Sequence, residues 1–203
     1  MKMSTILTTL LVAALLAGGL YLRYHQKDTD SRGATRLMRS IENHAEMQDT
    51  LKLIEKSEDI NMRDKSGQTA LFYAARSAQD PQVVRDLLEA GANLHIADEN
   101  GQTALMVAAR YNPSADVLEE FTKNGAHVNV SDNEGNTPLL LAAQYNTPEV
   151  IRALLRAKAD PGITGPEGKT VAEALAENTH LTDQEKTDYR QAMLVLSILQ
   201  GAY

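Results

Sequence analysis

The sequence predicts an all-α solenoid in which short helix–turn–helix repeats stack side by side. One phrase recurs along the chain: Asp64-Lys-Ser-Gly-Gln-Thr-Ala-Leu71 returns with small changes at 98–105 and 132–139, and in a worn form at 165–172. A constant period of roughly 33 residues indicates a stacked array, in which each unit buries its apolar face against its neighbours. The glycines of the phrase mark this period at nearly constant intervals: Gly67, Gly101, Gly135 and Gly168.

Each copy of the phrase predicts a tight turn followed by a first helix. The aspartate of Asp-x-x-Gly can accept hydrogen bonds from backbone amides ahead of it, and the glycine supplies a positive φ. A threonine then opens the helix, and Leu-x-x-Ala-Ala follows at 71–75, 105–109 and 139–143. Because alanine side chains are small, these pairs let neighbouring helices approach closely.

A second helix follows in each repeat. Its apolar residues recur at i, i+1, i+4 and i+5 within 83–88, 117–121 and 150–155. This spacing predicts a single buried stripe along the helix. Gly91 and Gly125 then fit the left-handed position that often follows the C-terminus of a helix.

The starts of the second helices carry capping signals. Asp80 and Thr147 each precede a proline, which predicts an N-cap residue followed by proline at the first helical position. In the middle repeat, either Asn112 or Ser114 can be the cap. Near the C-terminus, Thr182-Asp-Gln-Glu185 has the pattern of a capping box and predicts a longer helix to about Gln200.

The phrase Asp-x-x-Gly-x-Thr-Ala/Pro-Leu-x-x-Ala-Ala, followed by two short helices and Gly-Ala-x-Val-Asn, resembles the ankyrin repeat, in the form of a bacterial-type protein with an N-terminal membrane segment. The resemblance implies an ankyrin-repeat solenoid with three clear repeats between divergent caps. The expected units are listed by residue number: anchor or signal segment 1–25, linker 26–32, N-cap 33–63, repeats 64–97, 98–131 and 132–164, and C-cap 165–203.

The sequence departs from the family pattern at one position of each repeat. The histidine that the family carries after Thr-Pro-Leu is replaced by Phe72, Met106 and Leu140, so we expect apolar packing between repeats there. The terminal units need a polar outer side because nothing stacks beyond them. Two helices are expected within 34–56, with apolar side chains facing inward: Leu37, Met38, Ile41, Leu51, Leu53 and Ile54. The last helix is expected to pack through Tyr189, Met193, Leu194, Leu196, Ile198 and Leu199.

The N-terminal segment differs from the rest of the chain. Residues 6–22 carry no charge and are closed by Arg23 and Lys27. As a helix they would span roughly 26 Å, near the lower limit for crossing a bilayer. The prediction is an uncleaved membrane anchor; the alternatives are a secretory signal cleaved near Ala17-Gly18-Gly19 and a buried core helix. A lipoprotein signal is excluded because Gly19 stands where cysteine is required.

The basic residues that flank residues 6–22 are compatible with either orientation of the repeat domain relative to the membrane. Counting the basic residues after the segment places the repeats in the cytoplasm. Against this, a very short basic N-terminus before an apolar segment usually remains in the cytoplasm, and the rest of the chain then crosses the membrane. The expectation is therefore a single-pass protein of the cytoplasmic membrane with a periplasmic or extracytoplasmic repeat domain. The alternatives are a soluble periplasmic protein and repeats that face the cytoplasm.

Composition and motifs argue against catalysis and nucleic-acid binding. The net charge is −7, from 20 basic and 27 acidic residues, whereas nucleic-acid binding needs a basic stripe. The absence of cysteine excludes disulfides and thiolate chemistry. Residues 165–170 align with the repeat turn and lack the glycine spacing of a phosphate loop. No histidine stands at a recognised metal spacing: His25, His44, His95, His127 and His180. We expect no enzyme activity, cofactor or metal, and a monomer.

An exposed surface is the remaining candidate for function. In the family, partners usually contact the turn tips and the exposed ends of the first helices, which line the concave side. Carried over by position, the tips are Lys65, Ser66, Glu99, Asn100, Asn133 and Glu134, and the helix positions are Arg76, Arg110, Tyr111, Gln144 and Tyr145. Arginine and tyrosine often anchor interfaces. The prediction is a membrane-tethered scaffold for a partner protein; the alternatives are a stability factor without a specific partner and an accessory subunit of an enzyme.

Overall fold

The protein forms a two-layered stack of paired helices. The computed structural model describes residues 29–200, with side chains described up to residue 191, and this part contains ten α-helices. In chain order they are α1 Arg36–Glu42, α2 Met47–Glu55, α3 Ala70–Ser77, α4 Gln82–Glu89, α5 Ala104–Tyr111, α6 Ala115–Lys123, α7 Pro138–Tyr145, α8 Pro148–Arg156, α9 Val171–Glu177 and α10 Asp183–Gln200. A short 3-10 turn, Pro166–Gly168, precedes α9.

The helices alternate between an inner and an outer layer. The inner helices α1, α3, α5, α7 and α9 pack side by side, and the outer helices α2, α4, α6 and α8 form the second row. The predicted all-α repeat solenoid is therefore confirmed. The loop joining inner to outer helix shortens along the three repeats, from 78–81 through 112–114 to 146–147. The one residue by which each of the first two repeats, 64–97 and 98–131, exceeds the third, 132–164, thus lies in this loop.

The recurring aspartates shape the turns between repeats. Asp64 Oδ1 accepts hydrogen bonds from the amides of Ser66 and Gln68 at 2.8 and 2.9 Å, and Asp98 and Asp132 bond the equivalent amides. The second carboxylate oxygen joins neighbouring units. Gln68 donates to Asp98 Oδ2 at 3.0 Å, and Gln102 donates to Asp132 Oδ2 at 3.3 Å. These carboxylates are therefore structural, as the repeat spacing predicts.

The core lies between the two layers and is aliphatic. The alanine pairs of α3, α5 and α7 are fully buried, so the inner helices approach without bulky side chains between them. Phe72, Met106 and Leu140 are also buried. This confirms that apolar packing takes the place of the family's histidine.

Both ends of the stack are closed by caps. In the N-cap, Leu37, Met38, Ile41 and Ile54 are buried, whereas the expected core residues Leu51 and Leu53 are half-buried. At the other end, Thr182 and Glu185 form the predicted capping box, with the Thr182 amide 2.9 Å from Glu185 Oε2.

The last helix is tied back to the array by a tyrosine. Tyr189 of α10 is buried and donates from its hydroxyl to the carbonyl of Pro148 at 2.9 Å. The other apolar residues predicted for its packing face, from Met193 onward, lie outside the described side chains.

The N-terminal ends of the outer helices differ from the predicted caps in the first and third repeats. Helix α4 begins at Gln82 rather than Pro81, although Asp80 Oδ1 still accepts from the Gln82 amide at 2.8 Å. Ser114 is the cap of α6, because its hydroxyl accepts from the Val117 amide. Thr147 occupies the N-cap position of α8, but its hydroxyl forms no capping bond. Asn146 Oδ1 accepts from the Thr147 amide at 2.8 Å in this turn.

No helix within residues 29–200 is long and apolar enough to cross a membrane. The predicted anchor at 6–22 lies outside the described residues.

Candidate partner-binding surface

Arginine and tyrosine side chains interleave along the C-terminal ends of the inner helices. Arg76 at the end of α3 lies over the Tyr111 ring, with its Cζ 5.3 Å from the ring centroid. Arg110 lies between two rings, 5.3 Å from the centroid of Tyr111 and 4.4 Å from that of Tyr145. The order across three repeats is therefore Arg76, Tyr111, Arg110 and Tyr145, which we call the Arg/Tyr ladder. Such cation–π contacts fix long side chains in one arrangement before any partner arrives.

The tyrosines of the Arg/Tyr ladder are exposed although the helices that carry them are buried. Tyr111 and Tyr145 retain 50% and 40% of their accessible surface, while the residues on either side of Tyr111 are half-buried or buried. Among the large hydrophobic side chains of residues 29–191, Tyr111 and Tyr145 are the exposed ones. Exposed aromatic rings held by stacking lose little entropy on binding, and tyrosine is enriched at interface hot spots.

The guanidinium groups of the ladder carry no ion pair within residues 29–191. Arg85, by contrast, lies 2.9 Å from Glu120 on the outer layer. The nearest carboxylates at the two ends of the ladder have other partners. Glu42 is bonded by Arg32 at 2.7 Å, and Glu177 by Lys169 at 2.6 Å and by Gln144 at 2.8 Å.

The charge state of Glu42 follows from these contacts. The hydrogen bond from Arg32 lowers the pKa of the Glu42 carboxyl, and the charge of Arg76 lowers it further, although burial opposes both effects. Glu42 is therefore ionised at neutral pH. It partly balances Arg76, whereas Arg110 stands at the centre of the surface without a carboxylate partner in the described region.

A row of buried asparagines supports the Arg/Tyr ladder from below. Asn112, Asn146 and Asn178 follow the ends of α5, α7 and α9 and are almost fully buried. Each side-chain amide donates to carbonyls of the preceding repeat: Asn112 to Ala78 at 2.9 Å, Asn146 to Ala109 and Asn112 at 2.9 Å, and Asn178 to Ala143 and Asn146 at 2.8 Å. These residues lock neighbouring inner helices together directly beneath the tyrosines.

The sequence-based prediction missed this asparagine row. Two of its members were visible as the repeated pair Tyr-Asn at 111–112 and 145–146, and the third as Asn178. Asn112 was considered only as a helix cap. Recurrence at the repeat period, in a residue that is usually exposed, was the available signal of a structural role.

The predicted turn tips form a second exposed group. The six tip residues are all exposed: Lys65, Ser66, Glu99, Asn100, Asn133 and Glu134. Their backbones are linked between repeats, since the Glu99 amide donates to Ser66 and the Asn133 amide to Asn100, both at 3.0 Å. Asn133 also donates from its side-chain amide to Glu99 O at 3.1 Å. Within the described residues, no hydrogen bond, ion pair or ring contact joins the tips to the Arg/Tyr ladder.

Two histidines that are distant in the sequence meet at the outer turns. The rings of His95 and His127 lie 4.3 Å apart between centroids and are tilted by 34°. Both are exposed and border a cleft of about 230 Å³. The sequence treats them as separate surface residues, whereas the repeat places them in contact. No group of three or more histidine and acidic side chains in the described part of the chain could hold a metal ion.

The paired-helix stack is that of a repeat protein, a class in which stacked units build an extended exposed surface. A family model described as ankyrin repeats in three copies matches residues 7–98 and 77–165. The chain belongs to the ankyrin repeat family, whose repeats are generally protein–protein interaction modules and typically non-catalytic. A search of curated proteins found no match.

Proposed function

We propose that this protein is a non-catalytic scaffold that binds a partner protein on the face formed by the Arg/Tyr ladder and the turn tips. The interleaved Arg/Tyr ladder is the observation that carries the proposal. It presents two exposed tyrosines and two arginines, already ordered by mutual stacking. Preordered aromatic and arginine side chains are the groups that contribute most to protein interfaces.

The proposal includes the tether and the compartment expected from the sequence. Residues 6–22 anchor the chain in the cytoplasmic membrane, and the repeats lie on its outer side. The uncharged run closed by Arg23 and Lys27 supports the anchor. Protease added to spheroplasts should digest the repeats of an intact chain that still begins at Met1. Protection until the cells are lysed would place the repeats in the cytoplasm, and a shortened N-terminus would indicate a cleaved signal.

Site-specific photo-crosslinking in cells tests the binding face. A crosslinking amino acid at position 145 reports on the Arg/Tyr ladder, and one at position 156 reports on the outer layer. We expect a partner to crosslink from position 145, and Arg110→Ala combined with Tyr111→Ala to reduce the yield. Loss of one such anchor typically costs about 2 kcal/mol or more, which weakens binding about 30-fold, so loss of both should weaken it by hundreds of fold.

The matched control is Arg152→Ala combined with Arg156→Ala, which also removes exposed side chains but on α8. It should leave the crosslink from position 145 unchanged. A partner that crosslinks only from position 156 would show that this face is not the one used. Absence of any specific crosslink from either position would favour the stability-factor alternative.

A further inference from the structure

The guanidinium groups of the Arg/Tyr ladder have N–H donors that no acceptor within residues 29–191 occupies. Stacking on a tyrosine ring engages the flat face of a guanidinium and leaves the N–H groups at its edge available. Neither Arg76 nor Arg110 donates a side-chain hydrogen bond or forms an ion pair within this part of the chain. The free edge of a guanidinium matches a carboxylate, which accepts two parallel N–H···O bonds.

We infer that the ladder binds an extended acidic segment of the partner protein, with one carboxylate on Arg76 and another on Arg110. The inference rests on the function proposed above and adds the chemistry of the partner. Charge complementarity supports it, because the free charge at the centre of this surface is positive in a chain whose net charge is −7. Tyr111 lies between the two arginines and provides an apolar floor for the residues between the carboxylates.

The repeat geometry sets the spacing of those carboxylates. Arg76 and Arg110 occupy the same position in neighbouring inner helices, so roughly the distance between packed helices, about 8–10 Å, separates them. An extended segment in the polyproline II conformation rises about 3.1 Å per residue and returns each third side chain to the same side. About three residues therefore span the two arginines, and the segment carries acidic residues at positions i and i+3.

The surroundings of Arg76 favour the same ligand. Arg76 borders an open cleft of about 550 Å³ that is also lined by His44, Ser77, Gln79 and Ser114. The His44, Gln79 and Ser114 side chains can donate hydrogen bonds into the cleft, whereas the Ser77 hydroxyl already donates to the Tyr73 carbonyl at 2.8 Å. One acidic side chain of the segment enters the cleft, while the next lies over the Tyr111–Tyr145 gap at Arg110.

A densely charged partner fits this surface poorly. A nucleic-acid strand carries a phosphate every 3.4 Å or so, and an anionic bilayer presents many headgroups at once. Either would bring negative charge against Glu42, which interacts electrostatically with Arg76, and against Glu177, which accepts a hydrogen bond from Gln144 beside Tyr145. Two arginines spaced by one repeat match sparse carboxylates instead.

A peptide series on the full chain in dodecyl maltoside micelles tests the inference. Each fluorescent dodecapeptide carries two glutamates separated by one to six positions in a serine and threonine background, and binding is measured by fluorescence anisotropy. We expect the i, i+3 peptide to bind most tightly and its glutamine counterpart to bind at least about fivefold more weakly. Arg110→Gln should weaken the i, i+3 peptide about tenfold, as expected for loss of a charge-assisted hydrogen bond.

Three comparisons make the result decisive. Arg156→Gln removes the same charge from the outer helix α8 and should leave affinity unchanged. Arg110→Lys should also weaken binding, because lysine keeps the charge but lacks the planar fork. Melting curves by circular dichroism should be the same for Arg110→Gln and Arg156→Gln, which excludes unfolding as the cause. Equal binding of the glutamate and glutamine peptides, or equal effects of the two arginine variants, would overturn the inference.

The inference and the proposed function fail in different ways. A natural partner that crosslinks from position 145 with undiminished yield in Arg110→Gln shows that the face is used without acidic recognition. A partner that crosslinks only from position 156 would contradict both the inference and the proposed binding face. Vesicles of phosphatidylcholine and phosphatidylglycerol, mixed in a seven-to-three molar ratio, are the lipid probe. If the wild type binds these vesicles, Arg110→Gln does not, and the vesicles displace the peptide, then the ligand of the ladder is a lipid surface instead.

Discussion

Replacing Asn146 by alanine should destabilise the array strongly, because three backbone groups lose their partners at once. The Asn146 side-chain amide donates to the carbonyls of Ala109 and Asn112 at 2.9 Å, and its oxygen accepts from the Thr147 amide at 2.8 Å. The side chain is 3% exposed, so water does not readily replace these bonds. A buried polar group left without a partner costs about 1–3 kcal/mol. Even at the lower end for each of the three groups, the total is about 3 kcal/mol.

Urea unfolding followed by circular dichroism measures this loss. A single domain is stable by about 5–15 kcal/mol, so the variant should unfold at a much lower urea concentration. Asn124→Ala is the matched control, because Asn124 is exposed and donates to the Glu120 carbonyl at 2.7 Å. It should cost about 1 kcal/mol or less. If Asn146→Ala costs no more than Asn124→Ala, the buried asparagines do not hold the repeats together.

Two further predictions concern a backbone turn and an ion pair. Lys158 follows α8 with a φ of 66°, at the position where the earlier repeats have Gly91 and Gly125 with φ of 90° and 89°. Lys158→Gly should relieve left-handed backbone strain and raise the free energy of unfolding by about 0.5–1 kcal/mol in the same urea assay. A lower free energy of unfolding would contradict this prediction. The hydrogen bond from Arg85 lowers the pKa of the Glu120 carboxyl in the folded state, although burial opposes it. Its contribution is therefore present above the ordinary glutamate pKa and disappears as pH falls through the lowered value. Glu120→Gln should lose up to about 1 kcal/mol at pH 7, and its difference from the wild type should narrow as the pH falls below the ordinary glutamate pKa. A difference that does not narrow in acid would exclude this pair as the cause.

The sequence predicted the parts of the fold that depend on local chemistry. The turn aspartates, the left-handed glycines and the Thr182 capping box each act within a few residues of their own position, and all are present in the structure. The repeat period then placed the inner helices side by side, since a constant period implies one stacking operation. The apolar role of Phe72, Met106 and Leu140 followed from the same alignment of repeats.

Contacts between repeats were harder to predict because their partners lie a whole repeat apart in the sequence and depend on side-chain direction. The repeat spacing placed Arg110 and Tyr145 on one face, but not the stacking of the guanidinium on the ring. The repeat spacing also did not predict the contact between the rings of His95 and His127. The local pattern allows Asn112 or Ser114 as the cap of α6, whereas the Asn112 side-chain amide bonds the preceding repeat. Whether the predicted surface residues bind a partner stays a prediction.

The asparagine row has a consequence for how such an array can change in length. The second and third repeats each give one side-chain amide to the unit before and offer a carbonyl to the unit after, and the C-cap gives one amide through Asn178. The first repeat has Ala78 at this position and only accepts. A tandem duplication of the second repeat would therefore supply one new donor and one new acceptor, and leave no broken bond at either junction. A duplicated first repeat placed inside the array would interrupt the row, so lengthening is expected to be tolerated only for copies that carry the asparagine.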